Sequence, residues 1–257
     1  MFARLPVTPA IEDTPAVQVR GVDHVHPNGT HALAGIDLSV ARGEFVSLIG
    51  PSGCGKSTLL RLVAELDTPT RGEVRRHGDA RLAFVFQQPT LMPWARVAAN
   101  VALPLSLGAS RADAARKVDD ALAQVGLTQF AQAYPRELSG GMQMRASLAR
   151  ALVTEPELLL MDEPFGALDE ITRDRLDRDL LALWSARKLT VLFVTHSLHE
   201  AVYLSNRVVV MSPRPGRLAA ELRIDEPYPR APDFRVSERF AHRCRELSSM
   251  MIDAGAA

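Results

Sequence analysis

Phe45-Val46-Ser47-Leu48-Ile49-Gly50-Pro51-Ser52-Gly53-Cys54-Gly55-Lys56-Ser57-Thr58-Leu59-Leu60-Arg61-Leu62-Val63 reads as an apolar strand, a glycine-rich turn and the start of a helix. The turn has the spacing G-x4-G-K-[S/T], in the strand–turn–helix context that gives this spacing physical meaning. Glycines let the backbone wrap closely around an anion, with N–H groups pointing inward beside the positive end of a helix. A triphosphate suits such a nest: Lys56 would reach the β and γ phosphates, and the Ser57 hydroxyl would ligate Mg²⁺ between them. Lysine otherwise occurs only at Lys117 and Lys188, arginine supplying nearly all other cationic charge. A slim ammonium rather than a planar guanidinium is what a phosphate cradle wants.

The flanking sequence predicts an α/β fold. Val17–Arg20 and Ile36–Val40 alternate apolar with polar around the turn Pro27-Asn28-Gly29-Thr30, giving a strand-rich layer before the phosphate loop. Pro69 and Gly72 break the chain after the first helix, and Ala83–Phe86 forms a further strand ending at Gln87. From Trp94 to Tyr134 the character is helical, with Ser110 as a cap and Val118, Ala121, Leu122 and Val125 at i, i+3, i+4, i+7. Apolar runs at Leu158–Met161, Thr190–Val194 and Val208–Met211, separated by helical segments, are expected of parallel strands covered on both faces. Beyond Arg217 the pattern weakens, and Phe234–Met251 reads as a terminal helix.

Bulk properties narrow the function. The 257 residues carry 30 basic and 30 acidic side chains, which gives no reason to expect nucleic acid as a partner. No apolar run approaches the ~18 residues of a membrane span, so a cytoplasmic protein is expected. Cys54 and Cys244 are the two cysteines, too few for a disulfide framework.

Three further segments carry chemistry. Asp162-Glu163 ends the Leu158 strand at its carboxyl end, where open α/β sheets place ligands. Asp162 can reach the Mg²⁺ shell while Glu163 polarises the water attacking the γ phosphate. His196 ends the following strand in parallel and can hold that water in line. Leu138-Ser139-Gly140-Gly141 opens a second helix and forms a second anion site.

Together these residues resemble the ATP-binding cassette (ABC) ATPases: Walker A at Gly50–Thr58, the Q-loop at Gln87, the signature at Leu138–Gly141, Walker B at Leu158–Glu163, the D-loop at Ala167-Leu168-Asp169 and the switch histidine at His196. The resemblance implies a head-to-tail dimer sandwiching two ATP molecules, each held by Walker A of one subunit and by Ser139, Gly140 and Gly141 of the other, with Asp169 at the seam. It implies that Gln87 serves both Mg²⁺ and the attacking water, and that Arg136 and Glu137 lie near the partner's nucleotide or the coupling surface. It divides the chain into a leader (1–15), an ATP-binding core with an antiparallel β layer (16–92 and 155–225), a helical signature subdomain (93–154) and a C-terminal tail (226–257). In this chain Met142 follows the signature where Gln is common, and His26 falls where an aromatic ring usually stacks on adenine. A metal cluster of His24, His26 and His31 is the rival reading of that histidine-rich turn.

The string Val85-Phe86-Gln87 through Leu91-Met92-Pro93-Trp94 to Val97, with Glu163-Pro164-Phe165-Gly166-Ala167-Leu168-Asp169, resembles the importer ATPases of nitrate, sulfonate and taurine systems. That implies a membrane permease docked near Leu91 and Trp94, an associated solute-binding protein, and peripheral attachment to the inner face of the membrane. Relatives of this type also serve pyrimidine precursors. A soluble DNA-repair ATPase would need a long coiled-coil insertion between Lys56 and Ser139, and a translation factor a second motif set; neither is present. A small-molecule kinase would leave Ser139, Asp169 and His196 without a role.

Overall fold

The computed structural model describes residues 14–78, 80–107 and 111–256. Most of the expected leader and the expected cap Ser110 lie outside them. Strands β1 (Val17–Val25) and β2 (His31–Val40) form a hairpin through Pro27–Thr30, where Gly29 takes φ +82° and the His26 N–H donates to the Thr30 carbonyl at 2.9 Å. β3 (Phe45–Ile49) leads into α1 (Lys56–Val63), and β4 (Arg71–Arg76) returns to pair with β1, giving an antiparallel sheet in the order β2-β1-β4.

The second sheet takes β3 together with β5 (Leu82–Val85), β6 (Leu158–Asp162), β7 (Thr190–Val194), β8 (Arg207–Met211) and β9 (Leu218–Arg223), in the order β5-β6-β7-β3-β8-β9. All neighbours are parallel except β8 and β9. Every residue of β3 and β7 is buried, as the continuous apolar runs require. Alternation sorts them: Val46 and Leu48 pack with Leu59, Leu60 and the antiparallel sheet, whereas Phe45 and Ile49 face the opposite layer with Phe193, Trp184 and Leu180. Each fully buried Leu of this kind contributes about 2 kcal/mol. Because β3, β6, β7 and β8 run parallel, their carboxyl ends emerge at one edge and bring Gly50, Glu163, Thr195 and Ser212 together.

The helical stretch holds α2 (Val97–Ala102), a 3-10 turn (Leu103–Leu107), α3 (Arg111–Gln124) and α4 (Gly140–Leu152). Val118, Ala121, Leu122 and Val125 all turn inward. The remaining helices are α5 (Glu170–Arg187), α6 (Leu198–Leu204) and α7 (Glu238–Asp253), the last preceded by a 3-10 turn, Phe234–Val236. Among the described residues no helix is long and apolar enough to cross a membrane.

Three expectations need correction. Gly72 does not end regular structure: it lies inside β4, at φ +79°, and glycine is needed there because a Cβ would fall 2.4 Å from the Gly21 carbonyl oxygen, where β1 bulges. Beyond Arg217 the sheet gains β9, a short edge strand in which Leu218, Ala220 and Leu222 turn inward and the exposed Ala219 blurs the alternation. The terminal helix begins only at Glu238, since Ser237 caps it by accepting from the Phe240 N–H at 3.2 Å.

Candidate active site

The phosphate loop is held in shape by close backbone approaches. A Cβ on Gly50 would lie 2.7 Å from the Met211 carbonyl oxygen, and Gly55, at φ +110°, would place one 2.6 Å from Leu33 Cδ2. Gly55 is the N-cap of α1 and supplies no side-chain cap, so the first-turn N–H groups point at the loop. Lys56 is only 5% exposed, and its Nζ donates to the carbonyls of Gly50 (2.8 Å) and Pro51 (3.0 Å). At the next residue, Ser57 Oγ donates to Asp162 Oδ1 at 2.9 Å, joining the loop to the end of β6. Burial pushes the Asp162 carboxyl above its ordinary range, while the Ser57 hydroxyl pulls it back.

Beside Asp162, Glu163 occupies the left-handed region at φ +45°, an arrangement costing about 1–3 kcal/mol. It is fixed by its N–H to the Val194 carbonyl at 2.9 Å and by its carbonyl accepting from Gly166 N at 3.2 Å. The side chain is thereby aimed at two others: Gln87 Nε2 donates to Glu163 Oε2 at 3.3 Å, and His196 Nδ1 lies 3.4 Å from the same oxygen. A Cβ on Gly166 would come within 3.3 Å of His196 Cε1, so glycine leaves the imidazole its place.

A cavity of about 300 Å³ runs along this edge, lined by His26, Ser52, Gly53, Gly55, Lys56, Ser57, Thr58, Gln87 and Glu163 among others. Not every expected residue faces it. Cys54 is buried against the core with its Sγ 3.9 Å from Lys56 Nζ, and Gly50 and Pro51 contribute carbonyls to Lys56 instead of cavity wall. Ser139 caps α4 by accepting from Met142 N at 3.3 Å, and Asp169 caps α5 by accepting from Thr172 N at 3.0 Å. Gly140 and Gly141 pack on that same segment, against Leu168 and Thr172. Signature and D-loop residues thus lie together outside the cavity of their own phosphate loop. His24 meets His26 edge-on at 5.0 Å and turns its Nδ1 to the Thr68 carbonyl. Among the described residues no three His, Cys, Asp or Glu side chains gather to hold a metal, against the histidine-cluster reading.

Several residues that serve the site were not singled out from the sequence. Arg214 lines the cavity and donates from Nε to the Gly53 carbonyl at 3.0 Å. The available signal was its place after β8, the strand neighbouring β3. Arg150 ties α4 to the segment after Gln87, donating to the carbonyls of Pro89 (2.8 Å) and Thr90 (2.9 Å), and burial lowers its pKa. Buried Asn100 closes the loop at Met92–Arg96, accepting from Met92 N at 2.6 Å and donating to the Ala95 and Arg96 carbonyls. That loop leaves Trp94 75% exposed, while the neighbouring Leu91 is half-buried, one side of it packed against the core. Glu137 accepts from Tyr134 N at 2.5 Å, and Arg136 lies over the Tyr134 ring.

The ABC transporter family model matches residues 33–166, the span from β2 through the phosphate loop to the turn after Glu163. The chain belongs to the ABC transporter family. This ABC ATPase is 55% identical to the aliphatic sulfonates import ATP-binding protein SsuB 2 of Nocardia farcinica, over 79% of its own length and 83% of the relative's. It is 49% identical to an uncharacterized ABC transporter ATP-binding protein of Methanocaldococcus jannaschii, over 88% of its length and 86% of the relative's. Among solved structures it is similar to a dimeric ATP-binding cassette in a post-hydrolysis state bound to ADP and Pi, with a TM-score of 0.73 and 33% identity, covering 82% of this chain and all of that one. It is also similar to CbiO1 of Clostridium perfringens, with a TM-score of 0.75 and 25% identity, covering 91% of this chain and 96% of that one.

Proposed function

We propose that this ABC ATPase is the ATP-hydrolysing subunit of an importer for aliphatic sulfonates, acting as a head-to-tail pair of copies beneath a membrane permease. The observation that carries the catalytic part is the Glu163 carboxylate, aimed by Gln87 and His196 beside Lys56 and Ser57. Lys56 and the first-turn N–H groups of α1 bind the phosphates, and Arg214 borders them. Glu163 takes a proton from the water that attacks the γ phosphorus, while His196 and Gln87 hold carboxylate and water in line. His26, on the cavity wall, offers its ring to adenine.

The Ser57 hydroxyl and Asp162 carboxylate, 2.9 Å apart, are the hard oxygen donors that Mg²⁺ prefers, with the oxygen of Gln87 as a third. When bound, Mg²⁺ supplies neutralising charge to the β and γ oxygens. Ser139, Gly140, Gly141 and Asp169, outside their own cavity, are placed to complete the site of a second copy, identical or paralogous. The exposed Trp94 supports a permease contact at the Asn100-braced loop. The name of the Nocardia relative supports sulfonate as the solute class. An importer of this kind would work with a solute-binding protein on the far side of the membrane.

The test is uptake. Deleting the gene should abolish growth on an alkanesulfonate as sole sulfur source and leave growth on sulfate intact, with rescue by the wild-type gene. Unaltered alkanesulfonate uptake in the deletion strain would overturn the solute assignment.

A further inference from the structure

The loop carrying Glu163 and the loop carrying His196 are joined a second time, behind the site. On the Glu163 side the turn runs through Gly166 to Leu168, whose carbonyl accepts from Arg173 Nη2 at 2.9 Å. Arg173 Nε lies 3.3 Å from Glu200 Oε1. The other oxygen, Glu200 Oε2, accepts from the hydroxyl of Thr195, the residue before His196. Thr195 Oγ1 in turn accepts from Ser197 N at 2.9 Å, so the backbone on both sides of His196 is pinned. The circuit closes where His196 Nδ1 meets Glu163 Oε2.

Glu200 is 3% exposed and Thr195 is buried. Placing a carboxylate there costs several kcal/mol unless it is well paired, and packing alone would be served better by an apolar side chain. Neither Arg173 nor Glu200 lines the phosphate cavity.

We infer that Arg173 and Glu200 are positioning residues for hydrolysis: through Leu168 on one side and Thr195 on the other, they hold the two loops at the separation at which His196 meets Glu163. The inference rests on the assignment of Glu163 and His196 to hydrolysis. Reactive geometry is unforgiving, since a displacement of ~1 Å can cost about a hundredfold in rate. The ring therefore acts on turnover and leaves the phosphate nest alone.

The test uses the full-length chain with Mg-ATP. ATP affinity is measured in the Glu163→Gln background and kcat in the otherwise wild-type background. Glu200→Ala and Arg173→Met should each lower kcat by about tenfold or more while ATP affinity changes less than about threefold. Glu200→Gln, which keeps an oxygen for Thr195, should recover part of the rate. Because the effect passes through His196, adding Glu200→Ala to His196→Ala should cost less than about threefold further. Unchanged kcat, parallel losses of kcat and affinity, or full additivity with His196→Ala would each overturn the inference. If Glu200→Ala does not fold, Arg173→Met, a partly exposed position, decides by the same criteria. Ordinary turnover of Glu163→Gln would instead overturn the assignment of the site itself.

Discussion

Gly216 sits where the β8–β9 loop presses on the back of the phosphate loop, and Gly216→Ala tests whether that contact shapes the nest. An added Cβ would fall 2.0 Å from the Cys54 carbonyl oxygen and 3.0 Å from Met211 Cε. Ordinary contact lies near ~3.5 Å, so the two loops must part by about 1.5 Å. The backbone there cannot give freely, because the Gly216 N–H donates to the Ala32 carbonyl at 2.9 Å and its carbonyl accepts from Ala34 N at 3.0 Å. Overpacking costs about 1–3 kcal/mol and each lost backbone bond about 1 kcal/mol, a total of roughly 3–5 kcal/mol. At about 2–4 °C per kcal/mol for a chain of this size, Tm should fall by roughly 6–20 °C. ATP affinity should fall with it, since displacing Cys54 moves the N–H groups of the loop. Differential scanning fluorimetry with and without ATP reads both effects. Gly29→Ala is the control: its φ of +82° strains the backbone, but nothing lies within 4 Å of the added Cβ. A Gly216→Ala melting point no lower than that of Gly29→Ala would refute the reasoning.

Lys56→Ala removes the buried ammonium held by the Gly50 and Pro51 carbonyls and should weaken ATP binding itself by about tenfold or more, read by equilibrium binding. Asp177 is fully buried against Arg235 Nη2 at 2.5 Å, and burial with nearby Glu200 pushes its carboxyl up to about 7. Its folded pKa therefore exceeds the unfolded value near ~3.9, so the folded state binds more protons and this group's contribution to stability falls as pH rises between those values. Asp177→Asn should accordingly gain on the wild type, by an amount of a few kcal/mol, as denaturant melts are repeated from acid to neutral pH; a pH-independent difference would contradict the shift. Gly166→Ala should slow hydrolysis without weakening ATP binding, because the new methyl presses on His196 Cε1, and unchanged kcat would show the imidazole has room to spare.

How far the sequence could be read depended on whether the physics was local. The phosphate loop, the apolar strands and the placement of Glu163 and His196 at parallel strand ends follow from period and spacing, and the structure gathers them along one edge. β4 escaped because it is an edge strand rich in Arg with no apolar period, and β9 because its alternation of Leu218, Ala220 and Leu222 is short and blurred by the exposed Ala219. Leu91 and Trp94 look alike in sequence, and nothing local tells that Asn100, from the following helix, braces the backbone of the loop that exposes Trp94. Arg214 and Arg150 act through contacts to Gly53 and to Pro89 and Thr90, across separations that no local pattern spans. Glu200 reads as an ordinary first-turn acid of a helix, and only the fold reveals that Thr195 and Arg173 enclose it.

The central claim is that Glu163 activates water in a pocket that a second copy completes. Sedimentation of Glu163→Gln with Mg-ATP, with nucleotide counted in the sedimenting species, tests it most directly. The account predicts a stable dimer carrying one uncleaved ATP per copy, lost again on adding Ser139→Glu at the signature. A monomer at saturating ATP, or a dimer in which ATP is hydrolysed at the wild-type rate, would contradict it.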